Sequence, residues 1–152
     1  ARPFADGIDG AASVVVNFSN KPVEMIEAEL PIAIDKYEFV PDSGGDGQYR
    51  GGLAQERHYR LLADSATLQL RSDRRTRGPY GLNGGRAGGR SRNLLVRGGR
   101  RVELPGKTTT TMRRGDRFEH RTAGAGGWGP PRKRRRAARA QDLREGKVTP
   151  KS

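Results

Sequence analysis

The chain has 152 residues and a net charge of +13; 32% of it is hydrophobic, 31% is charged, and glycine and proline together number 31. That length supports one domain with a real core, but the apolar content is lean enough that a partner is expected to complete it. The absence of cysteine excludes disulfides and thiolate metal sites, two histidines leave little for imidazole chemistry, and no run of about 18 apolar residues exists to span a membrane.

From the N-terminus, the first residue is not Met and no signal-peptide pattern follows, so the start reads as a processed or truncated end and the compartment as cytoplasmic. Residues 2–10 carry Asp-Gly twice, a turn dipeptide. Ala12 to Phe18, with Val14, Val15 and Val16, reads as a strand. Pro22 followed by apolar residues at 23, 26 and 30 predicts a helix of about two turns, which Pro31 ends. Ile32 to Val40 predicts a strand that leads into Pro41–Gly52, a stretch with five glycines in twelve residues. Glycine density of that kind marks backbone that must turn sharply or approach another surface closely, with Asp42, Asp46 and Arg50 presented from it.

Leu53 to Leu62 alternates, with Glu56, His58 and Arg60 on one face and Leu53, Tyr59 and Leu61 on the other. Residues 66–72 alternate again after an Asp-Ser turn, which predicts an antiparallel hairpin between the two. Seven arginines interleave with glycines over 71–93. Asn93–Arg97, Gly98-Gly99 and Arg100–Leu104 predict a second hairpin, since two glycines between strand-like runs suit a two-residue turn. Threonine-rich 107–112 and residues 117–122 predict strands on either side of a Gly115-Asp116 turn. Gly124-Ala125-Gly126-Gly127 precedes the only Trp, and 132–145 turns helical without an apolar stripe, so it is expected to fray or to need a partner. The expected architecture is mainly β: a single β-rich domain of roughly seven short antiparallel strands over 1–129, with a short helix near 22–30, then a basic tail over 130–152 that is helical or disordered.

The charge is dipolar. Residues 1–56 carry 4 Lys/Arg against 10 Asp/Glu, and residues 57–152 carry 26 against 7. A nucleic-acid surface in the second half and a basic flank meeting an acidic partner both fit that division. Against nucleic acid, Tyr80 is the only ring in the first arginine cluster and the tail run Arg132–Arg136 has none, whereas single-strand binders present stacking rings.

Neither glycine loop is a phosphate cradle by pattern, because no Lys-Ser/Thr ending follows it. The carboxylate pairs Asp6/Asp9 and Asp42/Asp46 could hold a divalent ion, but Asx beside Gly is ordinary turn chemistry, and no His cluster supports a metal site. Ser43, between Asp42 and Gly44, is not a nucleophile elbow.

The ordered motifs nevertheless form a series. Asp6-Gly7-Ile8-Asp9-Gly10, Asn20-Lys21-Pro22-Val23-Glu24, Pro41 to Gly52, Ser72-Asp73-Arg74-Arg75, Pro79-Tyr80-Gly81-Leu82-Asn83-Gly84-Gly85, Leu104-Pro105-Gly106-Lys107, Arg114-Gly115-Asp116 and Gly124 to Gly129 resemble the hydantoinase B/oxoprolinase family. The resemblance implies the C-terminal portion of a B-type subunit, working with an A-type ATP-binding subunit and with the remaining N-terminal part of the B-type subunit in a hetero-oligomer. Such complexes use ATP to open a cyclic amide (hydantoin, 5-oxoproline or a lactam), and related ones carboxylate ketones. ATP and a divalent metal are then expected in the rest of the complex, with none bound by this chain and no catalysis by it alone. Asp6, Asp9, Asn17, Asp42, Ser43 and Arg50 are the expected substrate or subunit contacts. The chain departs from the family pattern at Pro130 and through the basic run Arg132–Arg136, and returns to it at Asp142–Val148. A basic nucleic-acid-binding module and a purely structural assembly domain are the alternatives.

Overall fold

The computed structural model describes residues 1–11 and 20–150. The strand expected over 12–18 and the candidate Asn17 lie outside them. The described residues form a mainly β structure with two short α-helices, α1 (Val23–Glu29) and α2 (Arg136–Arg144), and seven strands. The strands are β1 (Ile32–Val40), β2 (Ala54–Leu61), β3 (Ser65–Arg71), β4 (Arg92–Arg97), β5 (Arg100–Glu103), β6 (Lys107–Arg113) and β7 (Arg117–Arg121).

Five strands form an antiparallel sheet in the order β1-β2-β7-β4-β5, and β3 and β6 pair separately. This corrects the expected hairpin between 53–62 and 66–72. Both edges of β2 are taken, one by β1 and the other by β7, so no edge remains for β3. The chain crosses at Asp64, and β3 finds β6 over seven residue pairs, with Leu68 opposite Thr110. The second predicted hairpin is present: Arg97 faces Arg100 across Gly98 and Gly99, whose φ values of +55° and +77° are those of the primed turn that matches strand twist.

Alternation decides which side chains become core. Leu61, Leu70, Leu95, Leu104, Met112 and Phe118 cluster between the two sheets, flanked by Ile32, Tyr59 and Leu68. Tyr59 and Phe118 are cross-strand partners that stack at 6.3 Å, and Phe118 stacks in turn on His120 at 5.8 Å. α1 follows the predicted spacing with Pro22 at its N-cap, yet none of its residues is buried.

Outside the sheets, backbone hydrogen bonds join three loops directly. The loops 41–52, 78–89 and 123–129 run against one another as extended segments that belong to neither sheet. Amide-to-carbonyl bonds tie them together: Gly45 to Ala125 at 2.8 Å, Gly89 to Ser43 at 2.8 Å, Gly124 to Gly89 at 3.0 Å and Gly127 to Arg86 at 2.9 Å. Tyr49 and Trp128 exchange both of their bonds at 3.0 Å, and their rings sit 5.9 Å apart. Such spacing admits no side chain. A Cβ on Gly124 would fall closer than 3.0 Å to the Ser43 carbonyl oxygen. The glycines of the opening motif are therefore a packing requirement of this bundle.

The basic tail does not hang free. Pro131–Lys133 makes a 3₁₀ turn, α2 follows, and Gly146, at φ +66°, ends it with its N–H on the Leu143 carbonyl. Without an apolar stripe, α2 is fixed through Asp142, which is buried.

Candidate functional site

The glycine bundle aims one guanidinium inward. Arg50 follows Tyr49 on the loop 41–52 and is only 4% exposed, so it is not presented to solvent as its loop position suggests. Its Nη1 donates to Asp9 Oδ1 at 3.2 Å and to the Gly51 carbonyl at 2.6 Å, and its Nε donates to Asp142 Oδ1 at 3.3 Å. Its own backbone N–H donates to Asp6 Oδ1 at 2.7 Å. The N-terminal turn, the glycine loop and α2 thus meet at one residue.

A second arginine closes the knot. Arg134 donates through both terminal nitrogens to Asp6, at 2.8 and 2.9 Å, and its Nη2 also reaches Asp142 Oδ2 at 2.5 Å. Lys147 adds a contact to Asp9 Oδ2 at 3.4 Å. Burial alone would raise the carboxyls of Asp6 and Asp9. The Arg134 and Arg50 hydrogen bonds to Asp6, and the Leu53 N–H, Arg50 and Lys147 bonds to Asp9, outweigh burial and hold both below the ordinary aspartate range. Arg134 is raised in turn, chiefly by Asp6.

The other expected residues fall close by. Ser43 is buried and spends its hydroxyl twice, donating to the Val40 carbonyl at 2.6 Å and accepting from the Ala54 N–H at 2.8 Å. Asp42 adopts a left-handed backbone at φ +59° and accepts from the N–H and the hydroxyl of Thr149 at 3.1 and 2.6 Å. Asp6, Asp9 and Arg50 therefore share one cluster, Ser43 lies in the adjoining bundle, and Asp42 pins the chain beyond α2. Sequence reasoning missed Arg134 and Asp142. The signals for them were the dipolar charge, which this cluster satisfies within the chain, and the return of the family pattern at Asp142.

This geometry limits the chemistry. Ser43 has no base beside it, so it is not poised as a nucleophile. Asp6 and Asp9 are held ionised at neutral pH, which does not suit a general acid. As ligands for a divalent metal they fit poorly, because guanidinium groups already occupy the oxygens that would turn toward an ion; among the described residues no group of three or more His, Asp or Glu could hold one. His58 contacts Glu56 at 3.2 Å, and His120 contacts Asn93 at 2.7 Å inside the β core, away from the cluster. The arrangement is a structural clamp that fixes the shape of a glycine-rich surface. No helix among the described residues is long and apolar enough to cross a membrane.

The fold has counterparts among solved structures. The fold matches acetone carboxylase in its nucleotide-free structure, with a TM-score of 0.80 and 20% identity, covering 97% of this chain and 24% of that one. It matches the ATP-dependent caprolactamase from Pseudomonas jessenii with a TM-score of 0.70 and 23% identity, covering 84% and 23%. The sequence supplies the lineage: residues 1–131 match the Hydantoinase B/oxoprolinase model, and the chain belongs to that family. A protein of Methanocaldococcus jannaschii is 38% identical over 133 residues, covering 88% of this chain and 23% of its own length. The 5-oxoprolinase of Saccharomyces cerevisiae is 36% identical over 108 residues, covering 70% and 8%. The chain thus spans less than a quarter of these curated relatives.

Proposed function

We propose that this chain is the C-terminal, β-rich part of a hydantoinase B-type subunit, and that it supports ATP-dependent ring-opening hydrolysis of a cyclic amide in a larger cytoplasmic complex. The supporting observation is the union of the family motifs in one place: the Asp6–Asp9 turn, the loop 41–52 and the loop 123–129 pack into a single rigid bundle locked by Arg50. A surface built from backbone is stiff, and stiffness is what positioning a partner's reacting groups demands. In this reading the partners are the A-type ATP-binding subunit and the remainder of the B-type polypeptide, which also supply the nucleotide and the divalent metal. This chain contributes shape and contacts, and its ionised, internally paired carboxylates take no part in proton transfer.

The likeness in fold to acetone carboxylase favours a second reading, in which the complex carboxylates a ketone. One experiment addresses both. The tagged chain is purified from its native cells, and the assembly that accompanies it is assayed for ATP consumption coupled to opening of 5-oxoproline, hydantoin or caprolactam. The same assembly is assayed for bicarbonate-dependent consumption of acetone. Ring opening supports the first reading and carboxylation the second. Isolation of the chain as a stable monomer with no ATP-binding partner would sink both.

A further inference from the structure

Next to the ionic knot, a second group of arginines has no counter-ions. Arg132, Arg136 and Arg139 are exposed, lie on the 3₁₀ turn and the first turn of α2, and form no ion pair among the described residues. All three line one cavity of about 280 Å³ whose lining also includes Arg50, Arg134 and Asp142, and these are balanced within the knot by Asp6, Asp9 and Lys147. Two further carboxylates face it. Asp42 is occupied by Thr149, and Asp46 has only the distant Arg86, at 3.9 Å.

Arg136 and Arg139 stand three residues apart on α2 and Arg132 lines the same cavity, so three like charges repel one another there until an anion joins them. The helix adds to the same potential: Arg135 at the N-cap of the nine-residue α2 supplies no side-chain hydrogen bond, which leaves the first-turn N–H groups unsatisfied by the chain. Guanidinium forks match the geometry of phosphate oxygens. The cavity holds about nine waters at about 30 Å³ each, enough for a small oxyanion, and lies at the lower end of the range for ligand pockets. Asp46, which lines the same cavity, disfavours an extended polyanion running past the arginines.

We propose that this cavity binds a small phosphate-bearing anion, held by Arg132, Arg136 and Arg139 at the start of α2. These residues lie beyond residue 131, where the family match ends. The site stands or falls separately from the assembly proposed above.

Calorimetric titration of the full chain with sodium pyrophosphate, at fixed ionic strength and neutral pH, tests it. One saturable site per chain is expected. The double variant Arg136→Gln/Arg139→Gln is expected to bind about 100-fold more weakly, tenfold or about 1.4 kcal/mol for each arginine, while Arg100→Gln at the start of β5 leaves affinity unchanged. Asp46→Asn probes the same cavity and is expected to tighten binding several-fold, a gain that misfolding cannot produce. A parallel titration with ADP separates the sources of the phosphate: arginine-dependent binding of ADP at least as tight as that of pyrophosphate points to a nucleotide, and preference for pyrophosphate to the free anion. No saturable binding, equal affinity in the double variant, weaker binding by Asp46→Asn, or an oligonucleotide that displaces pyrophosphate with a steep salt dependence would each overturn the assignment.

Discussion

Arg50 shows how much one side chain can hold. It is buried against Asp9 and Asp142 and caps the Gly51 carbonyl, so removing it takes a cationic partner from each of two largely buried carboxylates. Arg50→Met is expected to lower stability by about 3–5 kcal/mol, the cost of breaking one side of a buried pair. Arg50→Lys keeps the charge but offers a point where the site uses a planar fork, and an ammonium cannot span Asp9, Asp142 and Gly51 together. It is expected to cost about 2 kcal/mol, the scale of one lost charged hydrogen bond. Urea unfolding followed by circular dichroism orders the three proteins; a Met variant as stable as the native chain would mean that the knot contributes nothing net.

At the scale of elements, two kinds of glycine are at work, and substitution separates them. Gly98 lies in the β4–β5 turn with nothing within 4 Å of an added Cβ, so Gly98→Ala meets only the left-handed backbone penalty of about 1–2 kcal/mol. Gly124 lies in the bundle, where an added Cβ drives into Ser43 and separates two loops. Gly124→Ala is expected to cost about 4 kcal/mol or more and to reduce the yield of folded chain. Thermal unfolding of the two variants side by side checks the contrast, and equal shifts would show that the bundle yields. This division also explains what the sequence could tell. β1 and the Gly98-Gly99 hairpin were legible because both are local: alternation marks the strand, and the turn residues fix the hairpin. The clustering of glycines announced the bundle, although nothing in it says that loops 78–89 and 123–129 are its other layers. The partners of β2 and β3 were not legible, because alternation records which face is buried and not which edge is taken. The helix in the tail was legible, and its anchoring was not. A helix without an apolar stripe looks unsupported, but α2 is held by Asp142 and by Arg134, whose contact with Asp6 spans 128 positions.

For the molecule as a whole, the dipolar charge becomes an internal adhesive. Arg134 meets Asp6, Lys147 meets Asp9 and Arg121 meets Glu56, each joining the basic second half to the acidic first. Asp116 is bound by Arg97, and this bond, more than its burial, sets its acidity. Asp6, Asp9, Glu56 and Asp116 all have folded-state pKa values below their ordinary ones. In the window between the folded and unfolded values the unfolded chain binds more protons, so the stability these groups supply is complete above about pH 5 and is lost as pH falls through about 4 and below. His120 adds a smaller step of the same sign higher up. Burial, followed by the charge of Arg57, lowers its folded value, so stability begins to fall as pH drops through its ordinary 6.5. Thermal midpoints measured at about pH 7.5, 5.5, 4 and 3 are therefore expected to decline gently at first and then steeply. Asp6→Asn combined with Asp9→Asn should be less stable than the native chain at neutral pH and should lose less on acidification, because two of the groups that titrate have been removed. A double variant with an undiminished acid slope would place the pH sensitivity elsewhere and leave the Arg50 cluster as an uncharged packing contact in effect.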